Sequence, residues 1–453
     1  MTKNKFVIAI KKRFTASRLI LLGFFSIILL GALLLMLPLS NASGQMLNFT
    51  DALFTATSAT CVTGLTVKII ASDFTTFGHI IILVLIQIGG LGVMTITSAL
   101  YLLVGKRFTL YNRMTLKSDF EQTDTQNFAK IIHSILKIVL IVELFGAILL
   151  SIAFSKYYSA GTAIWYGIFH SISAFCNAGI DIVSANGTNF AVFSSDPLVL
   201  IITGVLIIFG GLGFIVIIDI LKNHSFRKFQ PQTKIVLVMS SVLILLGVAI
   251  FLSAEWNNTL SNMSVFDKIV NGFFQSITTR TAGFSSISNA KLSSVSITTT
   301  LILMFIGASP GSTGGGLKTS TLFVLLASIM PTVKGKHALV FDKHKISAIT
   351  IKKATAILMM ALGVLLISLI ALSITEKGAY TNEQLLFELI SAYNTVGLSL
   401  DITANLSVLG KYILVLNMFL GRVGSMTFFI AMAQNNNLSK EPKIKYPEVN
   451  INL

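Results

Sequence analysis

Four short segments of this chain end in glycine and are built alike: Thr60-Cys61-Val62-Thr63-Gly64, Phe175-Cys176-Asn177-Ala178-Gly179, Thr279-Arg280-Thr281-Ala282-Gly283 and Tyr393-Asn394-Thr395-Val396-Gly397. Their glycines lie 115, 104 and 114 residues apart (179−64, 283−179, 397−283). No segment holds a carboxylate, so the ligands on offer are backbone oxygens. Glycine adopts φ values that other residues avoid and lets carbonyls approach an ion with no Cβ in the way. Small or β-branched neighbours suit a strand packed tightly from behind. Four such strands closed into a ring would replace the water shell of a monovalent cation, the usual chemistry of an ion filter. A divalent site with an acidic ring is not indicated.

A second unusual segment follows the third glycine: Gly307, Ala308, Ser309, Pro310, Gly311, Ser312, Thr313, Gly314, Gly315, Gly316, Leu317 and Lys318. So much glycine, with a proline, cannot hold a continuous helix. An unwound loop below the filter is expected, able to block the path and move aside; a static kink is the alternative. Matching small residues recur in Gln87-Ile88-Gly89-Gly90-Leu91-Gly92, Phe209-Gly210-Gly211-Leu212-Gly213 and Gly421-Arg422-Val423-Gly424, where helices could approach closely or bend. Arg422 at that depth must face a cavity or a partner, given a cost of about 2.5–3.5 kcal/mol for a charge at the bilayer centre. Both a barrier in the ion path and an ion pair with Glu388 or Glu143 remain open. Arg280 is expected to brace loop carbonyls or a carboxylate, and Lys318 to tether the gate or meet a carboxylate.

Other chemistry is poorly supported. The six histidines are scattered, Cys61 and Cys176 make no CxxC, and no nucleotide-binding, nucleophile-elbow or paired-carboxylate motif stands out. The two cysteines look like small residues filling equivalent places rather than a disulfide. An enzyme is not expected.

The elements that position these loops are membrane helices. Of 453 residues, 54% are hydrophobic and 11% charged, and the net charge of +16 sits in short blocks between apolar runs. That pattern belongs to a polytopic membrane protein rather than a nucleic-acid binder. Eight runs can span: 19–37, 78–104, 131–154, 198–221, 235–252, 297–330, 354–374 and 412–432. The first is too long for a signal-peptide core and reads as a retained helix. Segments 50–60, 163–175, 267–278 and 382–393 are too short to cross and fit re-entrant pore helices. Of the 34 Lys and Arg, 24 fall in the N-terminus, the links 105–130, 222–234 and 332–353, and the tail, against seven on the opposite side. This places both termini in the cytoplasm and all four loops outside. Repeats of one polarity relate by an axis along the membrane normal, unlike the inverted repeats of many secondary transporters. The expected fold is therefore an all-α membrane protein of four parallel helix–pore loop–helix repeats, with eight transmembrane helices around a central pore. The repeats occupy 15–120, 125–230, 231–340 (its second helix broken at 307–318) and 345–435, with a cytosolic tail at 436–453.

With these residues assembled, the chain resembles the Trk/Ktr/HKT potassium transporter superfamily, most closely the membrane subunit of bacterial Ktr systems, over about residues 15–435. The resemblance rests on the four glycine loops, the broken helix and the arginine in Leu420-Gly421-Arg422-Val423-Gly424. It implies that Gly64, Gly179, Gly283 and Gly397 line a potassium filter. It also implies that 307–318 is an intramembrane gate and that Arg422 lies beneath the filter. Some plant relatives with serine at the first position favour sodium, so Gly64 implies potassium. The family further implies a plasma-membrane homodimer with one pore per subunit and a cytosolic ring of nucleotide-binding (RCK-type) regulatory subunits. No regulatory domain is read within these residues, so a separate partner is expected, docking on 222–234, 332–353 and the tail around Lys440-Glu441-Pro442-Lys443. Those basic stretches also suit anionic lipid. One departure is Pro310 beside Gly314-Gly315-Gly316, more breaking residues than some Ktr subunits show. An alternating-access solute or cation symporter is the rival reading, and a membrane anchor a third.

Overall fold

The computed structural model describes residues 16–92, 128–184, 189–335 and 339–433. The end of the first repeat's second span, most of the 105–130 link and the tail lie outside the described residues. Each repeat opens with a long apolar helix: α1 (Ala16–Met36), or, in later repeats, α4 (Phe128–Phe154), α8 (Pro231–Glu255) and α12 (Ala348–Glu376). Lengths of 21 to 29 residues give roughly 30–45 Å at 1.5 Å per residue, enough to cross a bilayer. Their outer faces are large and apolar, as at Leu140, Phe145 and Ile367. In water such a surface would be a liability, whereas against lipid it needs no cover.

A shorter helix follows in each repeat: α2 (Phe49–Cys61), α5 (Ala160–Phe175), α9 (Val265–Thr278) and α13 (Asn382–Tyr393). Side-chain caps fix three of their starts. Asn48 accepts from Thr50 N–H and Ser264 from Asp267 N–H, and Thr381 forms a reciprocal capping box with Gln384. All four are largely buried and end in the glycine loops, so their negative C-terminal dipoles converge there.

The second spans are built in pieces. They comprise α3 (Thr76–Leu91), α6 (Pro197–Leu212) with α7 (Phe214–Asn223), α10 (Ser294–Phe305) with α11 (Thr319–Val333), and α14 (Val408–Val423) with α15 (Ser425–Ala433). Runs 198–221 and 412–432, expected as spans whose small residues allow close approach or bending, turn by 96° and 93° at Gly213 and Gly424. Both glycines have left-handed φ, +94° and +88°, which ends the helical hydrogen-bond ladder without a Cβ clash. A break is therefore common to the second, third and fourth repeats. A two-stranded hairpin, β1 (Leu339–Phe341) with β2 (His344–Ile346), is a minor exception to an all-helical chain. Its turn residues Asp342 and Lys343 both have positive φ, as a type I′ turn requires. Lys234 bonds Asp342 at 2.8 Å, tying the third repeat's start to this link.

The helix breaks rest on close backbone packing. Gly89, Gly210 and Gly421 each press their Cα against the carbonyl four residues before a loop glycine, on Thr60, Phe175 and Tyr393. A side chain at any of them would collide with that carbonyl. We expect Gly421→Val to be strongly destabilising, by about 3 kcal/mol or more from overpacking against backbone that cannot yield. Fluorescence-detected size exclusion would show loss of the monodisperse peak, whereas the same change at half-buried but uncrowded Gly363 would leave the peak in place.

Candidate functional site

The four loop glycines meet. A Cβ placed on Gly64 would lie 2.6 Å from Ala178 O and 3.3 Å from the Cα atoms of both Gly179 and Gly397. One on Gly179 would meet Ala282 O, and 2.7 Å away the Cα of Gly283. One on Gly283 would stand 2.5 Å from Val396 O and 3.2 Å from the Cα atoms of Gly179 and Gly397. One on Gly397 would meet Thr63 O, with Gly64 Cα at 2.9 Å. The contacts run in sequence order and return to the start, so the loops form a closed ring. Each glycine faces the carbonyl that precedes its neighbour.

Backbone hand alternates along every loop. Val62, Asn177, Thr281 and Thr395, two before each glycine, have φ of 57°, 59°, 70° and 52°. The glycines are again positive, at 98°, 64°, 81° and 94°, while the residues between are not. Alternating hand turns successive peptide planes to one side, the device that gathers N–H groups in anion-binding nests. Three of the four non-glycine residues so held are β-branched, at a cost of roughly 1–3 kcal/mol each. Such strain persists only where surrounding structure over-determines it.

In each loop the carbonyls of the two residues just before the glycine have no hydrogen-bond partner among the described residues. Val62, Thr63, Asn177, Ala178, Thr281, Ala282, Thr395 and Val396 are all 0% exposed. None of their carbonyls accepts a hydrogen bond from a described residue. Buried carbonyls are almost always paired, and one left alone costs roughly 1–3 kcal/mol. The hydroxyls of Thr60, Thr63 and Thr395 and the amide oxygen of Asn394 are likewise buried without partners. A closed ring of unpaired oxygens fits a desolvated cation as cargo and fits an anion badly.

The remaining loop residues serve as packing. Cys61 and Cys176 are free, buried thiols; Cys176 Sγ lies against Gly90 and 3.7 Å from Gln87 Oε1. The Asn177 amide donates to the Ala174 and Ile207 carbonyls, its oxygen facing Thr281 Oγ1 at 3.4 Å. Thr279 bonds its own helix at Ser276 O, and the Tyr393 hydroxyl reaches Ser425. Arg280 leaves the ring altogether, its guanidinium bonding Ser240 O and Oγ on α8 at 3.4 and 3.3 Å. It is a brace, but its partner is a helix behind the loop and not the loop carbonyl or carboxylate expected from the sequence.

Directly beneath lies the broken segment 307–318. Its ends touch, Ile306 pairing with Leu317 in a parallel bridge, and Ala308 N–H donates to Gly315 O at 3.2 Å. Gly314 and Gly315 press against the hydroxyls of Thr281 and Thr395, and Gly316 against Asn394, so the loop sits against two filter-like strands. Gly307 packs on Gly315 and Gly316 of its own segment, not on a carbonyl of the four glycine loops as its counterparts do. The second repeat holds the other side: Ser309 and Thr313 N–H donate to Gly211 and Gly210 carbonyls, and Gly311 O accepts from Phe214 N–H at 3.0 Å. Pro310 O abuts Gly213, Thr313 Oγ1 bonds Phe175 O, and Ser312 Oγ bonds Ser309 O. Lys318 Nζ folds back on Gly314 O at 2.7 Å and Gly315 O at 3.5 Å, tying the loop's own base.

Arg422 joins this assembly. Its guanidinium donates to Thr313 O in the loop and to Gly89 O at the end of α3, with Gly90 O at 3.4 Å. No described carboxylate pairs with it. Glu388 is occupied by Ser399, Leu400 N–H and Thr403, and Glu143 by Gln87. The ion-pair alternative is thereby set aside. Three carbonyls from two other repeats hold the charge instead.

Sequence reading missed the pore-helix residues that anchor the strands beyond the glycines. Glu388 accepts from Leu400 N–H at 3.1 Å, His170 Nε2 from Ile182 N–H at 3.3 Å, and Gln275 donates to Asn289 at 3.0 Å. His170 Nδ1 bonds Tyr166 O, which fixes the neutral tautomer with the proton on Nδ1. Each stands eight or nine residues before its glycine, a spacing that could have marked them.

A family model described as cation transport protein, TrkH, matches residues 24–440. The potassium/sodium uptake protein NtpJ of Enterococcus hirae is 36% identical over 98% of both chains. The Ktr system potassium uptake protein B of Bacillus subtilis is 36% identical over 96% of both. Among solved structures, the potassium transporter TrkH from Vibrio parahaemolyticus superposes with a TM-score of 0.70 at 19% identity, covering 91% of this chain and 84% of that one. Repeat architecture, glycine ring and full-length likeness agree: the chain belongs to the TrkH family of cation transport proteins.

Proposed function

We propose that this chain is the membrane subunit of a Ktr-type potassium uptake system. Potassium passes the carbonyl ring of the four glycine loops, and the 307–318 loop with Arg422 controls passage. The observation that carries this reading is the closed ring with eight buried carbonyls that have no partner among the described residues. A dehydrated alkali ion supplies what those oxygens lack. Charge distribution supports cytoplasmic termini with the loops opening outward, as in a bacterial plasma membrane. The full-length likeness to Ktr system proteins supports a cytosolic nucleotide-binding RCK-type ring as partner, acting on the links around the hairpin. The row Leu366, Ile367, Ile370 and Ile374 leaves α12 with the broad apolar face that a homodimer or lipid would cover.

Radioactive rubidium flux into proteoliposomes tests the reading. Uptake should follow the imposed voltage, be displaced by external K⁺ and be displaced at least about tenfold less well by Na⁺, a difference of about 1.4 kcal/mol in site affinity. Rubidium uptake that required an organic co-substrate would instead establish the symporter reading. Addition of purified cytosolic partner with nucleotide should change the rate several-fold without changing the K⁺/Na⁺ preference, since a gate and a filter are separate devices.

A further inference from the structure

Among the buried hydroxyls of each pore helix, one stands five or six residues before the glycine: Ser58, Ser173, Thr278 and Ser391, all 0% exposed. Their backbone carbonyls accept from the N–H of Thr63, Ala178, Ala282 and Val396 at 2.8, 2.7, 3.0 and 2.8 Å, and Thr278 O also takes Gly283 N–H at 3.4 Å. Their side chains act in two different ways. In the first and fourth repeats the hydroxyl accepts from the glycine itself, Gly64 N–H to Ser58 and Gly397 N–H to Ser391, both at 3.1 Å. In the second and third repeats it donates to the carbonyl just past the glycine, Ser173 to Ile180 O and Thr278 to Phe284 O, both at 2.7 Å. The corresponding carbonyls of Leu65 and Leu398 accept nothing from any described residue.

We propose that these four hydroxyls are positioning residues that divide the ring into two unlike halves and thereby set its ion preference, an inference that rests on the filter reading. Hydroxyl donation fixes Ile180 O and Phe284 O to the pore helices, removing them as ligands at the outer end of the ring. Leu65 O and Leu398 O, on adjoining strands, stay free on one side. An arriving ion therefore meets two carbonyls at the outermost level and keeps part of its water there. It exchanges the rest for oxygens only below the glycines, where all four strands contribute unpaired carbonyls, since Gly283 O at the glycine level accepts from Asn189 Nδ2 at 3.5 Å. At that inner level, amide anchoring by Ser58 and Ser391 keeps Gly64 and Gly397 from drifting, which holds the ring at one size. Because the loops are quasi-equivalent in backbone, the asymmetry comes from the side-chain hydrogen bonds and is removable without touching a glycine.

The test compares two pairs of substitutions in the full chain, reconstituted and matched for monodisperse protein. Ser173→Ala with Thr278→Val releases the outer carbonyls; we expect the rubidium KM to fall at least threefold while the K⁺/Na⁺ ratio changes little. Ser58→Ala with Ser391→Ala frees the glycine amides; we expect the K⁺/Na⁺ ratio to fall at least fivefold while KM changes less. Thr278→Ser keeps the hydroxyl and should behave as the parent, including if the alanine and valine variants express poorly. The proposal is overturned if both pairs leave KM and ion ratio at parental values, if both move them in the same way, or if Thr278→Ser shows the KM shift. Gly64→Ser in the same assay separates the two levels. If it leaves the ion ratio intact, the filter reading itself fails. If it destroys the ratio while the hydroxyl pairs do not differ, only the division into halves fails.

Discussion

Serine in place of Gly64 or Gly283 is expected to abolish most of the preference for potassium over sodium, by about tenfold or more, equivalent to about 1.4 kcal/mol of lost discrimination. Two effects act together. Both positions hold left-handed φ, +98° and +81°, which a serine adopts only with strain. A new Cβ would also lie 2.6 Å from Ala178 O and 2.5 Å from Val396 O, so the neighbouring strand must retreat. Retreat by a few tenths of an ångström enlarges the ring on one side only, and a wider ring tolerates the smaller ion with its residual water. Rubidium uptake competed by graded K⁺ and Na⁺, at equal amounts of folded protein, measures the ratio directly. A parental ratio in both variants would remove the filter assignment. Gly92 is a useful control: it shares positive φ, +80°, but no described atom stands within 4 Å of the added Cβ.

How far the sequence alone reaches can be seen at particular residues. Pore helices expected at 50–60 and 267–278 appear as Phe49–Cys61 and Val265–Thr278. They were legible because each is bounded by a polar cap and a glycine loop, both local features. At Gly213 and Gly424 the small residues left close packing and bending equally open, and only the structure shows turns of 96° and 93° there, since hydropathy carries no information about φ. Convergence of the ring was foreshadowed only by matched spacing; the contact of Gly397 with Gly64 joins residues 333 positions apart (397−64), beyond any local pattern. Arg422 shows the same limit from the side of chemistry. A buried arginine suggests a carboxylate, and the chain offers Glu143 and Glu388, yet backbone carbonyls of Thr313 and Gly89 take the role. Backbone acceptors exist at every residue, so composition cannot single them out. The hydroxyls of Ser58 and Ser173 look identical in sequence and bond in opposite senses.

Those carbonyl bonds also make the proposed gate testable. Removing residues 311–316 should raise rubidium flux by about tenfold or more in the absence of any cytosolic partner, because it deletes the segment lying against Thr281 and Thr395 under the ring. Closure after the deletion is feasible: Ile306 and Leu317 already pair, and a connection of four residues, 307–310, is within the usual range for a tight loop. Lys318 would lose both acceptors, Gly314 O and Gly315 O, so the deletion is best made with Lys318→Met. Arg422→Gln should raise flux less, by roughly threefold, since it frees Thr313 O yet leaves the bonds from Thr313 and Ser309 N–H to the Gly210 and Gly211 carbonyls in place. Lysine at 422 should not restore the parental rate, because a point charge cannot span Thr313 and Gly89 as the planar guanidinium fork does. Residues that act through one latch are strongly non-additive. Adding Arg422→Gln to the deletion should therefore gain almost nothing, whereas an arginine acting as an independent barrier in the ion path would multiply the two effects. Flux from the double variant, set against the product of the singles, decides between a latch and a barrier.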